Sequence, residues 1–475
     1  MSKEKIAIGD EGILDARKLG IPRMLLLGFQ HMFAMFGATV LVPLLTGLDV
    51  ATTLLWAGLG TLLFHLITKG EIPAFLGSSF AFLGGYAAVA PMLGEDKNIP
   101  NKEMLPYACL GVACAGLVYL VLAGLIRLVG IKRVMRFFPP VVTGPIIIAI
   151  GLGLSGSAVN NCQSNWPLAL IALAIVIVFN IWGKGMTKII PILLGVVGSY
   201  LVAVVVGNIF GVEAWAVDFS AVKSAPWIGL PIKKEATVLA IDWSNTSLVI
   251  SSIVAIVPIA LATMMEHIGD ISAIGSTVGK NFIGKPGLHR TLIGDGVATT
   301  LASLCGGPAN TTYGENTGVL ALSKVYDPRV VRIAAVFAVI VSFSPKFAAL
   351  VSSIPAAIIG GISFILYGMI SAIGVRNVVE SKVDFSKSRN VIIAAIILVS
   401  ALGLTAGVSF KIGAVSITLS ALAVASIVGI LLNAILPGKD YVFAEMEEAD
   451  KKGVNFAVGA NTKVGNETVS LPDEK

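Results

Sequence analysis

The sequence predicts an all-α polytopic membrane protein of fourteen transmembrane segments, arranged as two inverted repeats of seven. Three observations predict it. The 475 residues are 56% hydrophobic and 13% charged, with a mean hydropathy of +0.88, where soluble chains carry roughly a quarter charged residues. Apolar runs able to cross a bilayer, which takes about 20 residues each, recur from Ile21 to Leu436. Short motifs of the first half return in the second at near-constant spacing. A soluble enzyme is excluded, and so is a disordered chain, which would be poor in apolar side chains.

In chain order, residues 1–20 form a polar tail, too poor in apolar residues for a cleavable signal. The segments of the first repeat, 21–210, read as 21–46, 50–68, 72–93, 105–129, 139–159, 167–183 and 188–210. A linker follows over 211–246. The second repeat, 247–437, reads as 247–275, 291–305, 307–323, 329–350, 355–375, 390–408 and 413–436, and a tail over 438–475 ends the chain. Segments 3 and 10 differ from the rest. Pro73, Gly77, Gly84 and Gly85 interrupt the one, Pro308, Gly314 and Gly318 the other, so short strands are expected to break both helices.

With the N-terminus inside, 27 of the 34 Lys and Arg residues fall on the cytoplasmic side and 7 outside, a strong positive-inside asymmetry. An even number of segments then places both termini in the cytoplasm of a cell-membrane protein, with the linker external. The net charge of +6 is spread through short loops rather than along one face, which argues against a nucleic-acid partner. The lipid bilayer is the expected surrounding. Cys109, Cys114, Cys162 and Cys305 have no metal-ligand spacing, so neither a disulfide nor a metal is expected.

The repeat rests on three echoes. Gln30-His31 is answered by Glu266-His267 at an offset of 236, and Ser78-Ser79-Phe80 by Thr311-Thr312-Tyr313 at 233. Pro140 is answered by Pro355 at 215, as in a shorter second copy. Seven is odd, so the second copy enters upside down. Inverted repeats with broken helices at matching positions point to a secondary transporter with its site near the midplane.

Ionisable residues inside the segments are costly and mark candidate sites. Glu266 and Asp270, four apart, share one helical face, where two close carboxylates cannot both stay charged cheaply and one is expected to hold a proton. They serve either as a proton site or as hydrogen bonds between helices. Glu315 stands where a half-helix should begin, at about Asn316, either aimed at a ligand or acting as a cap. Ser78 to Phe82 alternates as a short strand would. His31 and His267 read as structural contacts between helices, with proton transfer the lesser role for His31; Asp295 reads equally as a buried cap. Carboxylates, open backbone amides and the aromatic side chains Phe80, Tyr313 and Tyr367 would suit a planar base with ring N–H donors and carbonyl acceptors. Other small polar solutes remain possible on this reading.

Gln30-His31, Gly77-Ser78-Ser79-Phe80, Glu266-His267-Ile268-Gly269 and Asn310-Thr311-Thr312-Tyr313-Gly314-Glu315-Asn316-Thr317-Gly318 resemble the nucleobase/ascorbate transporter family, and within it the bacterial uracil permeases, over about Gly20 to Pro437. One departure is Ser323-Lys324, where the family has Thr-Arg or Thr-Lys. The resemblance implies a core of segments 1–4 and 8–11, a gate of segments 5–7 and 12–14, proton symport without a cofactor, and a homodimer. It also implies that Glu266 and Glu315 hold uracil through carboxylates and that Phe80 and Gly314 hold it through backbone amides, with Ala34, Tyr313, Ser363 and Tyr367 lining the pocket. Proton coupling falls to Glu266 and Asp270, with His31 and Asp295 as further candidates. Asp270 replaces a His of the uracil-transporting relatives, and Asp295 is shared with purine carriers, so a xanthine or urate permease is the alternative. An anion transporter of related fold is a further one, disfavoured by the carboxylates.

The charge asymmetry makes a direct prediction about sidedness. A membrane-impermeant thiol reagent applied from outside is expected to label a Cys placed at Lys223 and to spare one at Lys285; the reverse pattern overturns the orientation.

Overall fold

The computed structural model describes residues 12–94, 99–184, 186–405, 407–412, 415–438, 463–464 and 467–468. Most of the expected C-terminal tail lies outside the described residues, as do the first eleven positions. The protein is a helical polytopic membrane protein. Among the described residues, seven helices are long and apolar enough to cross a bilayer, and an eighth span arises from two helices joined at 89°.

The first half opens with α1, Ile21–Thr46, which has Pro22 in its first turn and ends at the left-handed Gly47. Helix α2, Val50–Ile67, begins at Asp49, whose carboxylate accepts the Thr52 N–H at 2.9 Å, a standard N-cap. Strand β1, Leu76–Ser78, is followed by a 3-10 turn over Phe80–Phe82 and by the short α3, Leu83–Val89. Then come α4, Leu105–Val129; α5, Pro140–Gly153; α6, Ser155–Gln163; α7, Trp166–Trp182; and α8, Pro191–Ala203.

After a connection holding only short helical turns, the second half begins with α9, Thr246–Ile256, and α10, Ala260–Val278, separated by a 3-10 turn containing Pro258. Helix α11, Leu288–Leu304, strand β2, Asn310–Thr312, and helix α12, Glu315–Ser323, follow. Helices α13, Pro328–Ser342, and α14, Pro345–Ser352, form the right-angled pair. The chain continues through α15, Ala356–Glu380, and α16, Ser388–Gly403, to the hairpin β3, Val408–Ile412, and β4, Val415–Leu419. It ends with α17, Ala421–Ile435.

Several elements depart from the sequence reading. The segment expected over 413–436 starts as a helix only at Ala421, and the one expected to reach 408 stops at Gly403. The intervening residues pair antiparallel, Val408 opposite Leu419, because Val-Ser-Phe-Lys-Ile and Val-Ser-Ile-Thr-Leu alternate with period two and are rich in β-branched residues. The strand expected over Ser78–Phe82 lies earlier, at Leu76–Ser78. Segment 5 divides at Leu154 and segment 11 turns at Phe343–Ser344.

Two sets of helices pack closely. In one, α4 lies along α11, α2 along α13 and α11, α1 along α13, and α9 along α4. In the other, α15 lies along α5, α6 and α7, while α8 lies on α7 and α16 on α17 and α5. Small residues set the second contact, as is usual between membrane helices. Gly151 faces the Tyr367 carbonyl, and a Cβ at Gly374 would stand 2.6 Å from Ile148 N and 2.8 Å from Gly144 O. The Ser371 hydroxyl donates to Ile148 O across the same seam at 3.0 Å. A clasp joins the N-terminal segment to the loop after α12. Ile13 N donates to Lys324 O at 2.7 Å, Tyr326 N to Ile13 O at 2.8 Å, and Arg329 pairs with Asp15 at 2.9 Å. Arg17 hydrogen-bonds Asp15 and holds its carboxyl well below the usual carboxylate range.

Gly374→Leu is expected to force α15 away from α5 and to cost about 1–3 kcal/mol, as overpacking does. Gly368→Leu on the same helix, with nothing within 4 Å of its Cβ position, should change little. Thermal unfolding of the two purified variants checks the contrast.

Candidate substrate site at a strand crossing

The centre of the site is a pair of three-residue strands from opposite halves of the chain. β1 and β2 run antiparallel with Leu76 opposite Thr312, Gly77 opposite Thr311 and Ser78 opposite Asn310. The pairing extends outward, since Ser79 N donates to Ala309 O at 3.0 Å and Tyr313 N to Phe75 O at 2.9 Å. Irregular backbone at membrane depth persists only if its polar groups are satisfied within the protein or line a cavity. Here each strand satisfies the other.

The outer edges of the pair are held by two buried threonines. On α2, Thr61 Oγ1 accepts the Leu76 N–H at 2.8 Å and donates to Ala57 O at 2.7 Å. On α11, Thr299 Oγ1 accepts the Asn310 N–H at 3.2 Å and donates to Asn310 O at 2.9 Å. Threonine at 61 and 299 thus does the same task for the first residue of each strand. Both are fully buried. Sequence reasoning passed over them because a lone Thr in an apolar helix carries no motif; their separation of 238 positions (61 and 299), close to the 236 and 233 of the repeat echoes, was the available signal.

Tyr313 locks the crossing. Its hydroxyl donates to Ser78 O at 2.8 Å and lies 3.0 Å from Ser78 Oγ and 3.3 Å from Thr39 Oγ1. A Cβ at Gly77 would stand 2.5 Å from the Tyr313 ring, so the strands approach this closely because residue 77 is glycine. The hydroxyl of this expected pocket residue is thus engaged with β1 and α1.

Phe80 leaves one end of the pair and Gly314 the other, each where helical backbone resumes. Backbone N–H groups in a first helical turn lack intrahelical partners. Glu266 and Asp270 lie half-buried on the same face of α10. A Cβ at Gly314 would be 3.1 Å from Asp270 Oδ1, and the Cβ positions of Gly269 and Gly318 have nothing within 4 Å. Space therefore remains beside the carboxylates and α12. Glu315 opens α12 through its backbone; its side chain lies outside the described residues.

On the opposite wall, α15 presents Tyr367, whose ring meets that of Phe80 edge to face at 5.9 Å and 78°. Ser363, one turn earlier, is buried, as is Ala34 on α1. His31 is also buried and lies next to Asn316, whose Nδ2 donates to His31 O at a long 3.4 Å. His31 Nε2 and Asn316 Oδ1 have no hydrogen-bond partner among the described residues.

Asp295 is placed differently from Glu266 and Asp270. It is fully buried, 2.8 Å from His267 Nδ1, and its Oδ1 accepts the Thr312 hydroxyl at 2.9 Å. The other ring nitrogen of His267 lies 2.9 Å from Thr291 Oγ1. This cluster ties α10 and α11 to β2 and turns Asp295 toward the protein interior. Among the described residues, no group of three or more His, Cys, Asp or Glu side chains could hold a metal ion.

Removing a threonine hydroxyl from the crossing would leave a strand N–H unpaired in an apolar surrounding, at about 1–3 kcal/mol. Thr61→Val and Thr299→Val are each expected to lower the unfolding temperature, whereas Thr→Ser at either position should restore most of it. Equal stability of the Val and Ser variants would remove the hydroxyls from the account.

Residues 22–410 match the family described as Permease family, Xan_ur_permease. The chain is 43% identical over 426 residues to "Uracil permease" of Bacillus caldolyticus, covering 87% of this chain and 92% of that one. It is 41% identical over 464 residues to "Uracil permease" of Bacillus subtilis (strain 168), covering 95% and 98%. It is 38% identical over 426 residues to "Putative pyrimidine permease RutG" of Escherichia coli (strain K12), covering 89% and 91%. Among solved structures, the transmembrane domain of the cyanobacterial bicarbonate transporter BicA superposes with a TM-score of 0.54 at 16% identity, covering 88% of this chain and 99% of that one. SLC26A9 does so with 0.59 at 14%, covering 94% and 71%. At such identities these structures establish the fold. With a helical membrane fold, broken helices crossing through paired strands, and a family match over most of its length, the chain belongs to the Permease family and is a membrane transporter, not an enzyme.

Proposed function

We propose that the protein imports uracil across the cell membrane by proton symport. The observation that carries this reading is the half-buried pair Glu266 and Asp270 beside Gly314, with unfilled space at Gly269 and Gly318. A uracil ring offers two N–H donors and two carbonyl acceptors. Carboxylates of Glu266 and Glu315 take the former, and backbone amides near Phe80 and Gly314 take the latter. Phe80 and Tyr367 cover the ring, with Ser363 and Ala34 completing the wall. Relatives named uracil permeases, at 36–43% identity, support the choice of base.

The proposed architecture has fourteen segments with both termini cytoplasmic. The seven long helices, the bent pair and the shorter apolar helices Phe80–Val89, Trp166–Trp182, Ser388–Gly403 and Ala421–Ile435 supply twelve; α11 and α12 supply the other two. Inverted repeats are supported by the packing, because the contacts of α4 with α11 and of α2 with α13 interchange when each helix is replaced by its counterpart. The first helix set forms the substrate-holding core and the second the gate, with the site where Phe80 meets Tyr367. The homodimer implied by the family resemblance belongs to the same proposal.

A purine carrier draws no support from Asp295, which is occupied by His267 and Thr312. An anion transporter would have to bring negative charge against Glu266 and Asp270.

The proposal is tested by uptake of radiolabelled uracil into proteoliposomes, with unlabelled bases as competitors. Xanthine or urate competing better than uracil would reassign the substrate. Accumulation is expected to need an inward proton gradient and to collapse with a protonophore, since the membrane potential cannot concentrate a neutral solute without a co-transported ion. Undiminished accumulation in the protonophore, or a strict sodium requirement, would remove proton coupling.

Binding and coupling should separate by mutation. Glu266→Gln and Glu315→Gln each place an NH₂ donor against a ring N–H and are expected to weaken equilibrium binding about 10- to 150-fold, the loss of a charge-assisted hydrogen bond of roughly 1.5–3 kcal/mol. Asp270→Asn should bind uracil nearly normally yet fail to concentrate it, because an amide does not titrate. Normal binding by both Gln variants, or accumulation by Asp270→Asn, would overturn the respective role.

A further inference from the structure

A second cavity lies away from the substrate site, on the face that the charge asymmetry assigns to the cytoplasm. It encloses about 860 Å³ between the turn after α2 (Gly70 and Glu71), the loop after α10 (Gly279 to Lys285), and the first turns of α13 (Asp327 to Arg332), with Leu14 of the N-terminal segment at its rim. Its charges are unequal. Arg329 is neutralised by Asp327 at 3.2 Å and by Asp15 at 2.9 Å. Lys280, Lys285 and Arg332 have no ion-pair partner among the described residues, and Glu71 is the one unpaired carboxylate lining the cavity among them.

Arg332 is the most telling of these. It is half-buried on the first turns of α13, where desolvation makes an unpaired charge expensive. Its guanidinium lies against the turn after α2, 3.2 Å from where a Cβ at Gly70 would stand, and Gly70 has φ +64. Glycine is needed there both for the left-handed turn and for this close approach. A general excess of Lys and Arg on the inner face explains why cations are present. It explains neither a cavity walled by them nor a guanidinium held without a carboxylate.

We infer that this cavity is a binding site for a phosphate-bearing anion, held by Arg332 with Lys280 and Lys285. A guanidinium forks onto two phosphate oxygens while the ammonium groups supply point charges. The cavity is in the size range of small-molecule sites. Two sources share this chemistry: a soluble phosphate of the cytosol, and the headgroup of an anionic lipid of the inner leaflet, which basic pockets at the cytoplasmic ends of helices accept. The binding chemistry stands independently of the uracil proposal; only the identity of the sources rests on the assigned orientation. Bound there, the anion would join the turn leading from α2 toward β1 to the C-terminal end of α10 and the start of α13, and so brace the elements that carry the strand crossing.

The test uses the full chain in nanodiscs of phosphatidylcholine and measures the unfolding temperature against inorganic phosphate, with chloride at matched ionic strength as the control. A second series replaces part of the phosphatidylcholine by phosphatidylglycerol. A saturable rise with phosphate identifies a soluble anion, and a rise confined to phosphatidylglycerol identifies a lipid headgroup; either supports the site. In both cases Arg332→Gln combined with Lys280→Gln is expected to weaken the effect about tenfold or more. Retained uracil binding shows that the variant is folded, and loss of uracil binding in wild type would count against the uracil reading alone. No rise in either wild-type series, or an equal rise in the double variant, overturns the inference. The wild-type series decides the matter even if the variant does not fold.

Discussion

The structure depends on satisfying the backbone of two broken helices at membrane depth. Hydrocarbon offers no hydrogen bonds, so a chain that leaves the helix there must find its partners in the protein. β1 and β2 do this for each other, and Thr61 and Thr299 do it for their outer edges. With the pair so closed, Phe80 and Gly314 stand at its ends, each where helical backbone resumes and first-turn amides lack intrahelical partners. Gly77 and Tyr313 fix how closely the strands approach. The candidate site is thus a consequence of how the break is tolerated.

The acidic residues divide by what surrounds them. Asp295 is fully buried and fully engaged, with His267 and Thr312 taking up its lone pairs. That is the arrangement that makes a buried carboxylate bearable. Glu266 and Asp270 are half-buried, with open Cβ positions at Gly269 and Gly318 nearby. One helix pair thus carries two half-buried carboxylates one turn apart on α10 and, on α11, a third that is fully buried against His267 and Thr312.

The contacts between the two helix sets are of different kinds. Within the second set, Gly144, Gly151 and Gly374 let backbones touch, which favours a set of helices that holds together as a unit. Across the site, the contact includes the edge-to-face rings of Phe80 and Tyr367. An aromatic contact of this kind is worth about 0.5–1.5 kcal/mol beyond its buried area, a modest tie beside the many contacts within either set. A ligand inserted between the rings would compete with it directly.

Much of this was legible in the chain itself. Composition and run length determined a helical membrane protein, because a bilayer demands about 20 apolar residues per span. Pro73 with Gly77 and Pro308 with Gly314 located the broken helices, because a Pro removes a helix hydrogen bond and a nearby Gly weakens the helix further, although single prolines such as Pro43 and Pro145 lie inside continuous helices. Glu266 and Asp270 were evident because charge in an apolar run is too costly to be incidental. Tertiary structure alone decided what those residues meet: that β1 pairs with β2 across 234 positions (Gly77 and Thr311), that Thr61 and Thr299 hold the strands, that the Tyr313 hydroxyl reaches Ser78, and that Asp295 meets His267 and Thr312. Hydrogen bonds and close packing between distant segments depend on ångström-scale distances set by the whole fold, and no local pattern of residue types records them.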